Sequence, residues 1–123
     1  MNILVTGGAG YIGSHVSLNL LDAGYNVTIL DDLSNGHEQL IPKNADFIKC
    51  NINDVEIINS LLQNNKFIAI MHFAGFVKVE ESVKFPEKYF TNNSKNSEQL
   101  FNICFKNNLS NIIFSSSAAI YGN

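Results

Sequence analysis

The chain has 123 residues, 46% of them apolar and 15% charged, with a formal net charge of −3. That is enough to bury one core of single-domain size, and the complete absence of Arg argues against a nucleic-acid surface, which is gripped mainly by clustered Lys and Arg. Cys50 and Cys104 lack CxxC spacing, and His15, His37 and His72 form no short-range ligand pattern with them or with each other. No metal site is expected, and both thiols are read as reduced in a cytoplasmic protein. Met1 leads directly into Ile3-Leu4-Val5, which leaves no room for an export signal, and no apolar run approaches membrane-spanning length. A soluble, unexported protein is the expectation.

Short β-rich runs alternate with amphipathic segments, as a parallel sheet covered by helices on both faces requires. The fold class is therefore α/β, a doubly wound parallel sheet of about five strands in the order 3-2-1-4-5, with residues 1–123 as one domain. The strands are predicted near 2–6, 26–31, 46–50, 67–72 and 111–115. The first helix, Tyr11 to Ala23, carries Ile12, Val16 and Leu20 on one face, which should pack on the sheet, and Gly24 is placed to end it in a left-handed conformation. A second helix begins after Asn53, with Glu56 as its capping-box partner and Val55, Ile58 and Leu62 as its apolar stripe. The longest runs from Pro86 to about Lys106, with Phe101, Cys104 and Phe105 facing inward.

Between the first strand and the first helix stands Thr6-Gly7-Gly8-Ala9-Gly10-Tyr11-Ile12-Gly13. A glycine pattern in that context reads as a dinucleotide site. Gly7 permits the tight turn, Gly10 lets backbone approach a pyrophosphate, and Gly13 allows close packing, while the helix N-terminus offers N–H groups to the phosphates. Asp31 ends the second strand 18 residues after Gly13, where a carboxylate can accept hydrogen bonds from the adenine ribose hydroxyls. It would repel a 2′-phosphate, and with no Arg to clamp one, NAD is favoured over NADP. The alternative is that Asp31 or Asp32 merely caps the following turn, and Asp32 reads equally as that cap or as a cofactor contact.

The spacing Gly-x-x-Gly-x-x-Gly resembles that of the extended short-chain dehydrogenase/reductases. Four further blocks narrow the resemblance to the UDP-glucose 4-epimerases: Asp31-Asp32-Leu33-Ser34-Asn35-Gly36; His72-Phe73-Ala74-Gly75 with Glu81-Ser82-Val83 and Pro86; Tyr89-Phe90-x-Asn92-Asn93; and Phe114-Ser115-Ser116-Ser117-Ala118-Ala119-Ile120-Tyr121-Gly122. The resemblance implies that Tyr11, Ile12, Asp31, Asp32, Asn35, Gly36, Ile52, Phe73, Ala74 and Gly75 line an NAD site, with Asn93 on the sheet side. Helical spacing supports Asn93 independently, since Tyr89, Asn93, Ser97 and Phe101 fall on one face at steps of four. Asn51 stands where the family usually has an Asp that helps hold the adenine, so that contact would be a neutral hydrogen bond. Lys78 is one residue displaced from a Lys common in the family, and reads as its substitute or as a solvated side chain.

In the family, hydride leaves the sugar C4 for the nicotinamide and returns to the opposite face of a 4-keto sugar, interconverting UDP-glucose and UDP-galactose in galactose metabolism. Ser117 matches the Ser that orients the reacting hydroxyl. The general base is a Tyr in a Tyr-x-x-x-Lys motif, and no Tyr of these 123 residues has a Lys four residues later. The expectation is the NAD-binding part of such an enzyme, inactive by itself. A non-catalytic NAD-binding module and a part of a related sugar-nucleotide dehydratase or epimerase stay open as alternatives. The nucleotide sugar belongs to the full-length enzyme, no membrane partner is expected, and a homodimer is, with the uncharged run Asn111-Ile112-Ile113-Phe114 as the edge through which copies would pair.

Overall fold

The computed structural model describes residues 1–34, 36–73 and 86–114, except for the side chains of residues 86–94 and of Phe114. In chain order the elements are β1 (Asn2–Thr6), α1 (Tyr11–Asp22), β2 (Asn26–Asp31), a 3-10 turn (Glu38–Leu40), β3 (Asp46–Lys49), α2 (Val55–Asn64), β4 (Phe67–His72), α3 (Pro86–Lys106) and β5 (Ile112–Phe114). The described sheet is parallel throughout, in the order β3-β2-β1-β4-β5, as the alternation of strands and helices predicts. The strand order reverses between β1 and β4, where Thr6 stands in register with His72 at the carboxyl ends.

Side-chain alternation along the strands divides the core in two. Leu4, Leu30 and Ile70 face α2 and α3 and pack with Ile58, Leu62, Leu100, Ile103 and Cys104. Ile3, Val5, Val27 and Ile29 face the other way, against Leu20 and Leu21 of α1. Helices thus cover both faces, and the central strands are buried on both, which is why they read as unbroken apolar runs.

Three details of the helices differ from expectation. In α1 the buried residues are Gly13, Ser14 and Ser17, and Ile12 is 53% exposed. Gly13 sits against the Gly7 carbonyl, so closely that a Cβ on it would lie 2.2 Å from that oxygen. This contact fixes the rotation of the helix about its axis and turns Ile12 away by roughly 100°. Ser17, one turn on, returns its hydroxyl to the Gly13 carbonyl at 2.7 Å and keeps the packed face small. In α2 the stripe of Ile58 and Leu62 is buried as expected, but the N-cap is Asp54, and it makes no side-chain cap bond. Its carboxylate accepts instead from the Asn51 N–H at 3.0 Å, so there is no capping box from Asn53 to Glu56. In α3, Leu100, Ile103 and Cys104 are inward, whereas Phe105 is 56% exposed, one residue and roughly 100° beyond the row that meets the sheet. Gly24 ends α1 with φ +95°, the left-handed conformation expected of it.

Candidate functional site

In an open parallel sheet a ligand crevice forms outside the carboxyl ends of the strands, where the order reverses. The glycine turn stands at that place. Gly7 has φ +73°, which lets the chain reverse directly after β1, and its N–H donates to the Leu30 carbonyl at 2.8 Å. Gly10 N–H closes the turn on the Gly7 carbonyl at 3.1 Å. Gly10 is also the N-cap of α1, and no side chain caps this helix. The first-turn N–H groups of Tyr11, Ile12 and Gly13 have no carbonyl one turn earlier in the helix to accept them, and they carry the positive end of the helix dipole. The turn therefore offers an anion a cradle of backbone donors.

Asp31 caps the following turn, its alternative reading, and also braces the glycine turn, which sequence reasoning missed. One carboxylate oxygen accepts the Ala9 N–H at 2.9 Å, and the other accepts the Leu33 N–H at 2.8 Å. It thus braces the glycine turn and also holds the following loop, in which Leu33 takes φ +65°. Each carboxylate oxygen has a further lone pair, so this bracing leaves acceptor capacity for a ligand hydroxyl. The loop is fixed from the other side as well: His37 N–H donates to the Ala9 carbonyl at 2.9 Å, and a Cβ on Gly36 would lie 2.8 Å from that of Ala9. Gly36 is required by this close approach. Gly8 is held close to β2, where a Cβ would run into the Ile29 side chain at 2.5 Å.

Asp32 behaves as the cap that was one of its two readings. It accepts the Ser34 N–H at 2.9 Å and the Ser34 hydroxyl at 2.6 Å, and its other oxygen accepts the Asn51 side-chain amide at 2.9 Å. Burial acts to raise its pKa, but these bonds from Ser34 and Asn51 outweigh it and hold the carboxyl below its ordinary value. Asn51 in turn accepts the Asn53 N–H at 2.9 Å through its side-chain carbonyl. Ile52 packs at the margin of the core beneath α2 and α3. Nearby, burial first and the Asp54 and Asp32 charges second push the Cys50 thiol up to about 11; it is buried and free, as is Cys104.

On the other side of the reversal point, Phe73 continues the β1–β4 pairing by donating its N–H to the Thr6 carbonyl at 2.9 Å. His72 is fully buried between the Thr6 hydroxyl, bonded to its Nδ1, and the Ser97 hydroxyl, 2.9 Å from its Nε2. Ser97 and Phe101 are therefore on the sheet-facing side of α3, as their spacing predicts. Asn93 lies on α3 one turn earlier, with its side chain outside the described residues, and Asn35, Ala74, Gly75, Lys78 and Ser117 also lie outside them. Two cavities found among the described residues sit elsewhere, one between α2 and α3 near Val55 and Ile103, the other beside α1 near Leu18 and Pro42. Neither is lined by a residue of the glycine turn.

Comparison with known proteins agrees with this geometry. The model of the NAD dependent epimerase/dehydratase family matches residues 3–123. The chain is 42% identical over 120 residues to a UDP-glucose 4-epimerase of Azospirillum brasilense, an alignment that covers 98% of this chain and 34% of that protein. It is 41% identical over 129 residues to the UDP-glucose 4-epimerase of Bacillus subtilis (strain 168), covering 99% and 38%. Among solved structures, UDP-glucose 4-epimerase from Brucella ovis in complex with NAD superposes with a TM-score of 0.90 at 38% identity, covering 99% of this chain and 37% of that one. The Thermotoga maritima enzyme with UDP-glucose gives 0.89 at 37%, covering 95% and 38%. The chain thus spans little more than a third of the length of these relatives.

Proposed function

The chain belongs to the NAD dependent epimerase/dehydratase family, and from that membership we propose that residues 1–123 are the NAD-binding part of a UDP-glucose/UDP-galactose 4-epimerase. The observation that carries the proposal is the N-terminus of α1, without a side-chain cap, behind a turn whose crowding at Gly13 requires glycine, with Asp31 at its side. Its extension to nucleotide sugars is supported by the relatives, which are UDP-glucose 4-epimerases at about 40% identity.

In this reading Gly7, Gly10 and Gly13 keep the cradle open, and the N–H groups of Tyr11 and Ile12 meet the pyrophosphate. Asp31 accepts the ribose hydroxyls. Asp32, Asn35, Gly36, Asn51 and Ile52 border the adenine, while Phe73, Ala74, Gly75, Lys78 and Asn93 border the nicotinamide half, and Ser117 orients the sugar hydroxyl. When bound, NAD supplies reversible two-electron oxidation of a sugar carbinol. The proposal includes a cytoplasmic location, supported by the two free, buried thiols, and a homodimer, supported by the exposed Ile113 on β5 at the edge of the described sheet. No helix among the described residues is long and apolar enough to cross a membrane.

Calorimetric titration with NAD and NADP tests the reading. NAD should bind the more tightly, and Asp31→Ala should weaken it by about 1.5–3 kcal/mol through loss of charge-assisted bonds. Equal affinity for the two dinucleotides would overturn the role given to Asp31. The same 123 residues should interconvert UDP-glucose and UDP-galactose no faster than a Ser117→Ala control, because they contain no Tyr-x-x-x-Lys base.

A further inference from the structure

We propose that His72 is a positioning residue that, held between Thr6 and Ser97, sets where the first turns of α3 stand over the nicotinamide half of the crevice. The proposal rests on the NAD reading above. A dinucleotide bound across a doubly wound sheet straddles the point where strand order reverses. That point here is the β1–β4 pair, and the Thr6–His72 contact spans it. The adenosine half falls on the side of β2 and β3, where Asp31 and Asn51 stand, so the nicotinamide half falls on the side of β4 and α3.

The chain must reverse between the parallel strands β4 and β5, so α3 runs opposite to them and its Pro86 end lies over their carboxyl edge. Ser97 is bonded to His72 at that edge. The helix continues 11 residues before Ser97, about 16 Å at the rise of an α-helix. Those turns overhang the crevice, and the Ser97–His72 contact is the last described side-chain bond that ties them to the sheet.

The relay is built for direction more than for stability. Thr6 and His72 are fully buried and Ser97 nearly so; replacing such a set by apolar groups of the same shape is close to neutral for stability. A neutral imidazole has one donor and one acceptor nitrogen, so it orders the two hydroxyls in a fixed sense. Phe101 holds the ring edge-on, with centroids 5.6 Å apart and planes at 82°.

Calorimetry of the chain with NAD and with AMP tests this, since AMP fills only the adenosine half and reports on the side of β2 and β3. Ser97→Ala should lower NAD affinity about fivefold, the worth of one hydrogen bond, with AMP affinity unchanged. His72→Gln, whose amide keeps a donor and an acceptor, should retain the wild-type ratio of NAD to AMP affinity. Should Ser97→Ala not fold, His72→Asn takes its place, because its shorter amide keeps the Thr6 contact and falls short of Ser97. Parallel loss of NAD and AMP affinity, or an unchanged ratio, would overturn the positioning role while leaving the NAD reading intact. A wild-type chain that binds neither ligand would overturn both.

Discussion

The two sides of the sheet's carboxyl edge are held together by different parts of the chain. Around β1 and β2 every one of these contacts has a backbone partner: Gly7 donates to the Leu30 carbonyl, Ala9 donates to the Asp31 carboxylate and accepts from the His37 N–H, and Gly13 sits on the Gly7 carbonyl. Around β4 and α3 side chains do it, through Thr6, His72, Ser97 and the Phe101 ring. A region held by backbone contacts fails when atoms are added to it. One held by buried side-chain bonds fails when a partner is removed or protonated.

The largest expected effect lies on the glycine side. Gly13→Ala would place a Cβ 2.2 Å from the Gly7 oxygen and 2.9 Å from its carbonyl carbon; backbone cannot give way there as a flexible side chain can. We expect a loss of about 3 kcal/mol in urea unfolding together with loss of NAD binding. Gly24→Ala is the control, since its φ of +95° is strained for alanine but nothing lies within 4 Å of the added atom. It should cost only about 1 kcal/mol and leave NAD binding alone. If the two variants were equally stable, crowding at the turn would not be what fixes α1.

An effect of similar size is expected from His72 and can be read by pH alone. Burial pushes its pKa from 6.5 down to about 4. Well above pH 6.5 the ring is neutral whether folded or unfolded, and it contributes no pH dependence. Below that, the unfolded chain takes up a proton that the folded chain refuses, so stability falls by up to about 1.4 kcal/mol per pH unit until the folded ring titrates near 4. The whole window is worth about 3 kcal/mol. Thermal unfolding between pH 7 and 4.5 should show this slope, and His72→Gln should flatten it by one proton's worth. A wild-type slope that survives in the variant would assign the dependence to other groups.

The same contrast explains what could be read from the sequence. Backbone constraints leave a letter behind, because the φ of Gly7 favours glycine and the crowding at Gly13 admits nothing else, and so the turn and the helix after it were legible. Side-chain partnership leaves no such letter. His72 was visible as part of a block, and Ser97 as one position on a face, but that each is the other's partner depends on how α3 crosses the sheet. Ile12 and Phe105 were misplaced for a related reason: apolar spacing predicts that a helix has an inward face, whereas the contact at Gly13 decides how α1 is rotated, and the row of Leu100, Ile103 and Cys104 decides it for α3. The bracing of the glycine turn by Asp31 was hidden because the Ala9 N–H it accepts lies 22 residues away.

The smallest expected effect probes a place where the backbone-held side depends on a pair of side chains. The Asn51 amide donates to Asp32 across 2.9 Å, and that bond joins the loop after β2 to the segment after β3. Asn51→Asp would replace a donor with a second carboxylate at the same distance, while its other oxygen could still accept the Asn53 N–H. Two like charges so placed on a hydrated surface repel by roughly 1 kcal/mol, less as salt screens them. The variant should therefore lose about 1 kcal/mol at neutral pH and low salt, and recover most of it in about 1 M salt. It should also recover as pH falls into the carboxylate range, where one of the two acids takes a proton that reforms a hydrogen bond between them. Denaturant unfolding at two salt concentrations and two pH values measures all of this. A loss that neither salt nor acid relieves would mean that Asn51 matters for the shape of its turn, through Asn53 and Asp54, and not for the charge it keeps away from Asp32.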